Sequence, residues 1–166
     1  MTITEYNKTV DLYADSLYRF LAKSGNDRDQ AKDWVQETFL VLWNNVRNVE
    51  FQTSKNYLYT VGYRKMIDHF RSSKRNSTFE ITELPLITES DSTAEIQEVL
   101  DAALRVIPEI QRTVIVMRDY EGYSYKEIGE ITGLNESQVK VYIFRARTSL
   151  KEYLMNNDKV YPNSNK

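Results

Sequence analysis

Hydrophobic positions recur at helical spacing along most of the chain and predict a protein built from short helices. The first recurrence runs from Tyr6 to Ala22 and stops at the Ser-Gly-Asn-Asp sequence of residues 24–27, which is typical of a helix end. A second helix is expected from about Arg28, and a third from about Ser54 to residue 73, after a loop at residues 48–54. Three helices of this length predict one small bundle.

The periodicity is lost after the third helix and then returns. The intervening segment, residues 76–92, is rich in Ser, Thr and Glu and contains Pro85, as is typical of a linker. Apolar residues then recur on one face up to Pro108, and a further helix stops before Glu121; the recurring positions are Ile96, Leu100, Ala103, Leu104 and Ile107. The sequence predicts an all-α fold with two small helical domains, 1–75 and 93–155, joined by the flexible acidic linker 76–92 and followed by a frayed tail, 156–166.

Residues 123–153 carry the signals of two capped helices joined by a short turn. Ser124 and Glu127 have the spacing of a capping box, and Gly133 is placed to end the helix that they open. Asn135 is expected to cap the second helix, with Gln138 positioned to return the hydrogen bond. The spacing therefore predicts a helix-turn-helix.

The second of these helices has an apolar face and a basic, partly apolar face. Its expected core positions are Val139, Ile143, Ala146 and Leu150, which leaves Ser137, Val141, Phe144 and Thr148 on the opposite side. Lys140 and Lys151 lie at one edge of that side and Arg145 at the other. Such a helix suits a DNA major groove, where Lys and Arg meet phosphates. The alternative is an ordinary helical hairpin, against which the exposed Val141 and Phe144 argue.

The formal net charge of −2, from 22 basic and 24 acidic residues, hides a segregated pattern. Five basic residues and one acid fall between Arg64 and Arg75, whereas residues 76–104 hold seven acids and no Lys or Arg. Residues 139–151 hold four basic residues and no acid. This pattern favours two sites for a polyanion separated by an acidic spacer, and the alternative is three solvated surfaces.

Composition excludes several classes of chemistry. The chain has no Cys and a single His, His69, so we expect no disulfide framework, zinc site or thiol nucleophile. Without a glycine-rich phosphate loop or a clustered base and nucleophile, we expect no enzyme, no cofactor and no metal. The longest apolar run, Phe39 to Trp43, is far shorter than the roughly 20 residues of a membrane span. The N-terminus has no signal-peptide pattern, so we expect a cytoplasmic protein without membrane insertion.

Four motifs, in order along the chain, resemble the extracytoplasmic-function (ECF) sigma factors of the sigma-70 family. Residues 31–39 look like the A-x-D-x-V-Q-E-x-F signature of region 2, and Tyr57-Leu58 with residues 67–71 looks like its following helix. Residues 104–112 resemble the L-x-x-L-P-x-x-x-R start of region 4, and residues 123–147 resemble its helix-turn-helix. The chain departs from the family pattern at Tyr57, at Arg64 and in the second helix of the helix-turn-helix, where Ser137-Gln138 and Val141-Tyr142 replace Gly-Thr and Ser-Arg.

The resemblance implies a subunit that binds the RNA polymerase core, recognises promoter DNA and opens the duplex, with no active site of its own. The residues implied for the −35 element are Ser137, Gln138, Lys140, Val141, Phe144, Arg145 and Arg147. Those implied for the −10 element and melting are Asn56, Tyr57, Tyr63, Arg64, Lys65 and Arg71. Docking on the coiled coil of the large polymerase subunit is implied for Asp33, Gln36, Glu37 and Asn44, and the flap of the polymerase core is a further implied partner. A membrane-linked anti-sigma factor is a further partner of the family.

Two other functions remain open from the sequence. A stand-alone helix-turn-helix repressor or activator would bind a palindrome as a dimer and would need no polymerase. A module for single-stranded RNA would use the tyrosine-rich basic helix alone, and then the capped helix-turn-helix has no role. The first half of the chain favours a sigma factor, because a repressor needs neither the residue 31–39 motif nor a second basic site.

Overall fold

The computed structural model describes residues 1–76 and 92–156, and in this part of the chain the regular elements are helical, with no strand. The all-α prediction is confirmed. The α-helices are α1 (Ile3–Gly25), α2 (Arg28–Asn44), α3 (Ser54–Asn76), α4 (Ser92–Val106), α5 (Glu109–Ile115), α6 (Tyr125–Thr132) and α7 (Glu136–Met155). Except for their end residues, the expected linker and tail lie outside the described residues, as do the side chains of Lys74 and Arg75.

The first three helices form the expected bundle, in which each packs against the other two. Asp27 starts α2 by accepting a hydrogen bond from the backbone N–H of Gln30 at 3.0 Å. Between α2 and α3 the chain makes one short 3-10 turn, Phe51–Thr53. The fully buried apolar side chains of the bundle include Leu17, Phe20, Leu21, Ala31, Leu42, Leu58 and Met66.

The last four helices add their buried apolar residues to the same hydrophobic core as the bundle, among them Val114, Met117, Ile128 and Ile143. After Pro108, α5 continues into a π-helical turn, Val116–Tyr120, before α6 and α7. One expected core position is wrong: Ile96 is 48 % exposed, because no described part of the chain covers that turn of α4. The buried side chain on the next turn is Val99.

The two halves of the structure, residues 1–76 and 92–156, pack against each other. Helix α1 contacts α5 and the π turn, and α3 contacts α6. Arg112 of α5 lies at the centre of this contact and is only 8 % exposed. Its Nε donates to the carbonyl oxygen of Ser24 at the end of α1, at 2.7 Å, and its Nη1 donates to the carbonyl oxygen of Leu104 at 3.3 Å. Lys23 and Asp101 add an ion pair of 3.4 Å across the same contact. Arg112 therefore supplies donors to carbonyl groups that α1 and α4 leave free at their C-terminal ends.

Two tyrosines complete the contact between the halves. The ring of Tyr59 in α3 stacks on Phe20 at 5.1 Å and lies 5.2 Å from the ring of Tyr123, which precedes α6. Oη of Tyr59 donates to Oε2 of Glu121 at 3.0 Å. Both rings are buried, so Tyr59 belongs to the core and is not available to stack on a base in this arrangement.

Candidate functional site

The helix-turn-helix is fixed by local hydrogen bonds at both helix starts. The Ser124 hydroxyl accepts from the backbone N–H of Glu127 at 3.1 Å and donates to the Glu127 carboxylate at 3.0 Å. Asn135 and Gln138 form a complete capping box, with reciprocal bonds of 3.0 and 2.8 Å. Gly133 ends α6 with a φ of +80°, a conformation that glycine adopts without strain. The predicted caps and turn are confirmed, but the reciprocal capping box is complete only at α7, because the Glu127 carboxylate accepts from the Ser124 hydroxyl and not from its backbone N–H.

Helix α7 buries one face and leaves the other open. Val139, Ile143 and Ala146 are buried, and Leu150 packs at the edge of the core. The opposite face exposes Phe144 at 72 % and Val141 at 45 %. The seven residues expected at the −35 element are all exposed; they are Ser137, Gln138, Lys140, Val141, Phe144, Arg145 and Arg147.

Two of the exposed cations on α7 have partners within the protein. Nη2 and Nε of Arg147 donate to the two carboxylate oxygens of Asp119 in the π turn, at 2.7 and 3.2 Å. This hydrogen-bonded carboxylate raises the pKa of Arg147. Nζ of Lys140 lies 3.7 Å from Oε1 of Glu136 and 5.7 Å above the ring of Tyr125. The Arg147 pair ties α7 to the turn that precedes α6 and so helps to set the orientation of the helix.

A cleft of about 700 Å³ lies between α3 and α6, and a smaller one of about 250 Å³ adjoins it. The two clefts together are called the α3 cleft. All six residues expected at the −10 element line these two clefts, so the structure brings them together. They are Asn56, Tyr57, Arg64 and Lys65 in the larger cleft, and Tyr63, Arg64 and Arg71 in the smaller. Glu130 and Ile131 of α6 form the facing wall of both.

The cleft combines cations with half-buried phenol rings. Burial raises the pKa of Tyr63, and the nearby Glu109 carboxylate raises it further, so the phenol stays neutral and can donate a hydrogen bond. Nζ of Lys65 lies 3.5 Å from Oε2 of Glu37, which connects the cleft to the outer face of α2. Neutral rings beside guanidinium groups suit unpaired bases joined by phosphates.

The outer face of α2 is polar and exposed, as the sequence predicts. Asp33, Gln36, Glu37 and Asn44 all lie on the surface. Two apolar residues that the sequence patterns did not single out also lie on the exposed side of this helix: Leu40, which is 59 % exposed, and Trp43, whose ring lies 5.0 Å from that of Tyr6. The signal that could have shown Leu40 is its spacing, three residues after Glu37 and four before Asn44.

Family comparisons identify both halves of the chain. The family model described as sigma-70 region 2 matches residues 9–76, and the one described as sigma-70, region 4 matches residues 97–150. The ECF RNA polymerase sigma factor SigM of Bacillus subtilis is 29 % identical over 156 residues, which is 91 % of this chain and 94 % of SigM. The chain belongs to the ECF sigma factors of the sigma-70 family.

Other sigma factors agree with this assignment. SigE of Mycolicibacterium smegmatis, also an ECF RNA polymerase sigma factor, is 28 % identical over 160 residues, covering 90 % of this chain and 61 % of SigE. The sigma factor RpoE of Bartonella quintana, solved in complex with the anti-sigma factor NepR, has the same fold. Its TM-score is 0.77 at 22 % identity, over 92 % of this chain and 98 % of RpoE. CnrH, solved with the cytosolic domain of CnrY, has a TM-score of 0.69 at 21 % identity, over 92 % of this chain and 88 % of CnrH.

This sigma factor therefore acts in transcription initiation, and the alternative of a stand-alone repressor gains no support. Its relatives are sigma factors, which are DNA-binding regulators rather than enzymes. Among the described residues, no three His, Cys, Asp or Glu side chains converge as a metal site would require. None of the helices in residues 1–76 and 92–156 is long and apolar enough to cross a membrane.

Proposed function

We propose that this sigma factor binds the RNA polymerase core through α2, recognises the −35 element with α7 and uses the α3 cleft to hold the melted strand of the −10 element. The observation that carries the proposal is the cleft itself. Its larger part is lined by four of the six residues expected at the −10 element, and the adjoining smaller part by the other two, Tyr63 and Arg71, beside the exposed face of α2. A repressor that reads only duplex DNA needs no such site.

The basic and the aromatic residues of the cleft have different roles in promoter opening. Arg64 and Arg71 offer cations to phosphates, and Tyr57 and Tyr63 offer rings on which unpaired bases stack. A base must leave the duplex stack before it can bind there, which costs a few kcal/mol, so stacking on these rings stabilises the melted state.

Strand binding in this cleft requires the two halves to separate. Helix α6 forms the facing wall through Glu130 and Ile131, and the Glu130 carboxylate would repel phosphates that approach Arg64. In this proposal, polymerase and promoter together bind the separated form. Each half then contacts its own site, and the covalent connection raises the effective concentration of the second contact.

An anti-sigma factor is part of the same proposal. RpoE and CnrH, whose folds this chain shares, were solved with the anti-sigma factor NepR and with the cytosolic domain of CnrY. We propose that a regulator of this class binds this sigma factor and favours the closed arrangement of its two halves.

Run-off transcription tests the proposal, with core polymerase purified from the native host and genomic fragments as templates. We expect start sites that require the sigma factor, and permanganate-reactive thymines near them as a direct measure of melting. Glu37→Ala should weaken core binding, whereas a Tyr57→Ala, Arg64→Ala double variant should keep core binding and lose permanganate reactivity. Asp11→Ala, which removes an exposed acid from α1, serves as the control for Glu37→Ala.

The outcomes separate the parts of the proposal. If the double variant opens promoters as well as the wild type, the cleft does not hold the melted strand. If core polymerase ignores the protein while the protein alone protects a symmetric duplex site, the sigma mechanism is wrong for this chain.

A further inference from the structure

Helix α7 presents apolar groups on the side that would face DNA. Phe144 and Val141 lie three residues apart, and so on one face of the helix, opposite the buried Val139, Ile143 and Ala146. Single exposed apolar residues are common on protein surfaces. An adjacent pair on a helix that enters a DNA groove would instead contact the base edges in that groove.

Three polar side chains near this pair already make hydrogen bonds within the protein. Oε1 of Gln138 accepts from the backbone N–H of Asn135 in the capping box, and Nε and Nη2 of Arg147 donate to the two carboxylate oxygens of Asp119. The Thr148 hydroxyl donates to the carbonyl oxygen of Phe144 at 3.0 Å. Side chains of these kinds read guanine or adenine through hydrogen bonds, and here part of their hydrogen-bonding capacity is directed to protein atoms.

The major groove offers an apolar side chain one matching group, the C5 methyl of thymine. We propose that Phe144 and Val141 read thymine methyl groups in the −35 element, and that this contact sets the base preference at the positions they face. The inference rests on the proposed function in one respect, that α7 enters the major groove of promoter DNA.

Arg145 has a different part in the same contact. It is exposed next to Phe144 and carries a charge that meets phosphates, which fix the register of the helix but carry no sequence information. Loss of Arg145 should therefore weaken binding to all duplexes by the same factor, whereas loss of Phe144 should remove the preference for thymine at the position that Phe144 faces.

The test uses the holoenzyme and duplexes whose −35 region is first selected from a random library. Each thymine of the selected region is then replaced singly by deoxyuridine, which removes the methyl group and keeps every hydrogen-bonding group. With wild-type protein we expect the dissociation constant to rise about fourfold at one or two positions, the value of one buried methyl. In the Phe144→Ala or Val141→Ala holoenzyme the deoxyuridine effect at the corresponding position should vanish.

Arg145→Ala is the matched control on the same helix. It should weaken binding to the thymine and deoxyuridine duplexes by the same factor and keep the fourfold ratio between them. It should also make the salt dependence of binding shallower, because it removes one phosphate contact. All three side chains are exposed, so the variants should keep the Tm of the wild type, and this is measured alongside.

The results that overturn the inference differ from those that overturn the proposed function. The methyl contact is wrong if the selected region holds no thymine. It is also wrong if deoxyuridine has no effect at any position, or if its effect survives in both apolar variants. If binding by the holoenzyme is unchanged in all three α7 variants, α7 is not the helix that reads the −35 element, and that part of the proposed function fails as well.

Discussion

Tyr59 and Tyr123 form a pair of buried phenols that should respond in opposite ways to the same substitution. Their rings lie 5.2 Å apart between the two halves of the chain. Oη of Tyr59 donates to the Glu121 carboxylate at 3.0 Å, whereas Oη of Tyr123 is buried and has no hydrogen-bond partner among the described residues. Replacing either residue with Phe removes one oxygen and keeps the ring, so the difference between the two variants reports the hydrogen bonding of the Tyr59 hydroxyl, to Glu121 and to Ser16.

The expected magnitudes follow from the two environments. A buried polar group without a partner costs about 1–3 kcal/mol, so Tyr123→Phe should raise the free energy of unfolding by about 1 kcal/mol. Tyr59→Phe breaks a bond to a carboxylate that is only partly buried, and it should lower the free energy of unfolding by about 1 kcal/mol. For a chain of 166 residues, each change shifts Tm by about 2–4 °C. The two variants should therefore melt about 4–8 °C apart.

Urea denaturation followed by far-UV circular dichroism at pH 7 measures both free energies, and thermal melts give the Tm values. The wild type and the two variants should share one m-value, so that their midpoints can be compared. If Tyr123→Phe destabilises the protein as much as Tyr59→Phe does, the Tyr123 hydroxyl has a bonding partner in solution and the reasoning is refuted.

Three further predictions concern the same elements. Burial raises the pKa of Tyr59 and Tyr123 above the usual value of about 10, so the unfolded chain loses these protons first. Stability should then fall as pH rises above about 10, by up to about 1.4 kcal/mol per pH unit for each phenol, and urea midpoints at pH 9, 10 and 11 should show a shallower fall in Tyr123→Phe. Gly129→Ala would place a Cβ 2.7 Å from the carbonyl oxygen of Leu134, so we expect a loss of about 1–3 kcal/mol in thermal melts and weaker duplex binding. Asn135→Ala removes the cap of α7 and should cost about 1 kcal/mol in urea denaturation, with Asn135→Gly costing less.

The helix-turn-helix was predictable from sequence because the forces that define it are local. Ser124 and Asn135 cap their helices with groups three residues away, and Gly133 takes the left-handed conformation at the turn. The buried stripe of α7 follows from helical spacing alone. The exposed face of the same helix follows equally, since it is what remains once the stripe is assigned.

The contact between the two halves could not be predicted, because it depends on residues far apart in the sequence. Arg112 lies in a motif that the sequence analysis found, yet its bond to the Ser24 carbonyl joins residues 88 positions apart. Tyr59 is similar: its position in α3 is compatible with base stacking, and packing against Phe20, Tyr123 and Glu121, all distant in the sequence, places it in the core. The π turn that follows α5 likewise has no signal in the hydrophobic period.

The energetics of this contact suit an arrangement that opens when a partner binds. Its ion pair between Lys23 and Asp101 is partly exposed, and such pairs contribute about 0–1 kcal/mol. The Tyr123 hydroxyl opposes closure, because it is buried without a partner among the described residues. What favours closure is apolar burial around Tyr59 together with the Arg112 bonds to backbone carbonyls. In the proposed mechanism, polymerase and promoter shift this balance only by the difference between their affinities for the open and closed forms, and strand binding in the α3 cleft would provide that difference, because α6 lines the cleft in the closed form.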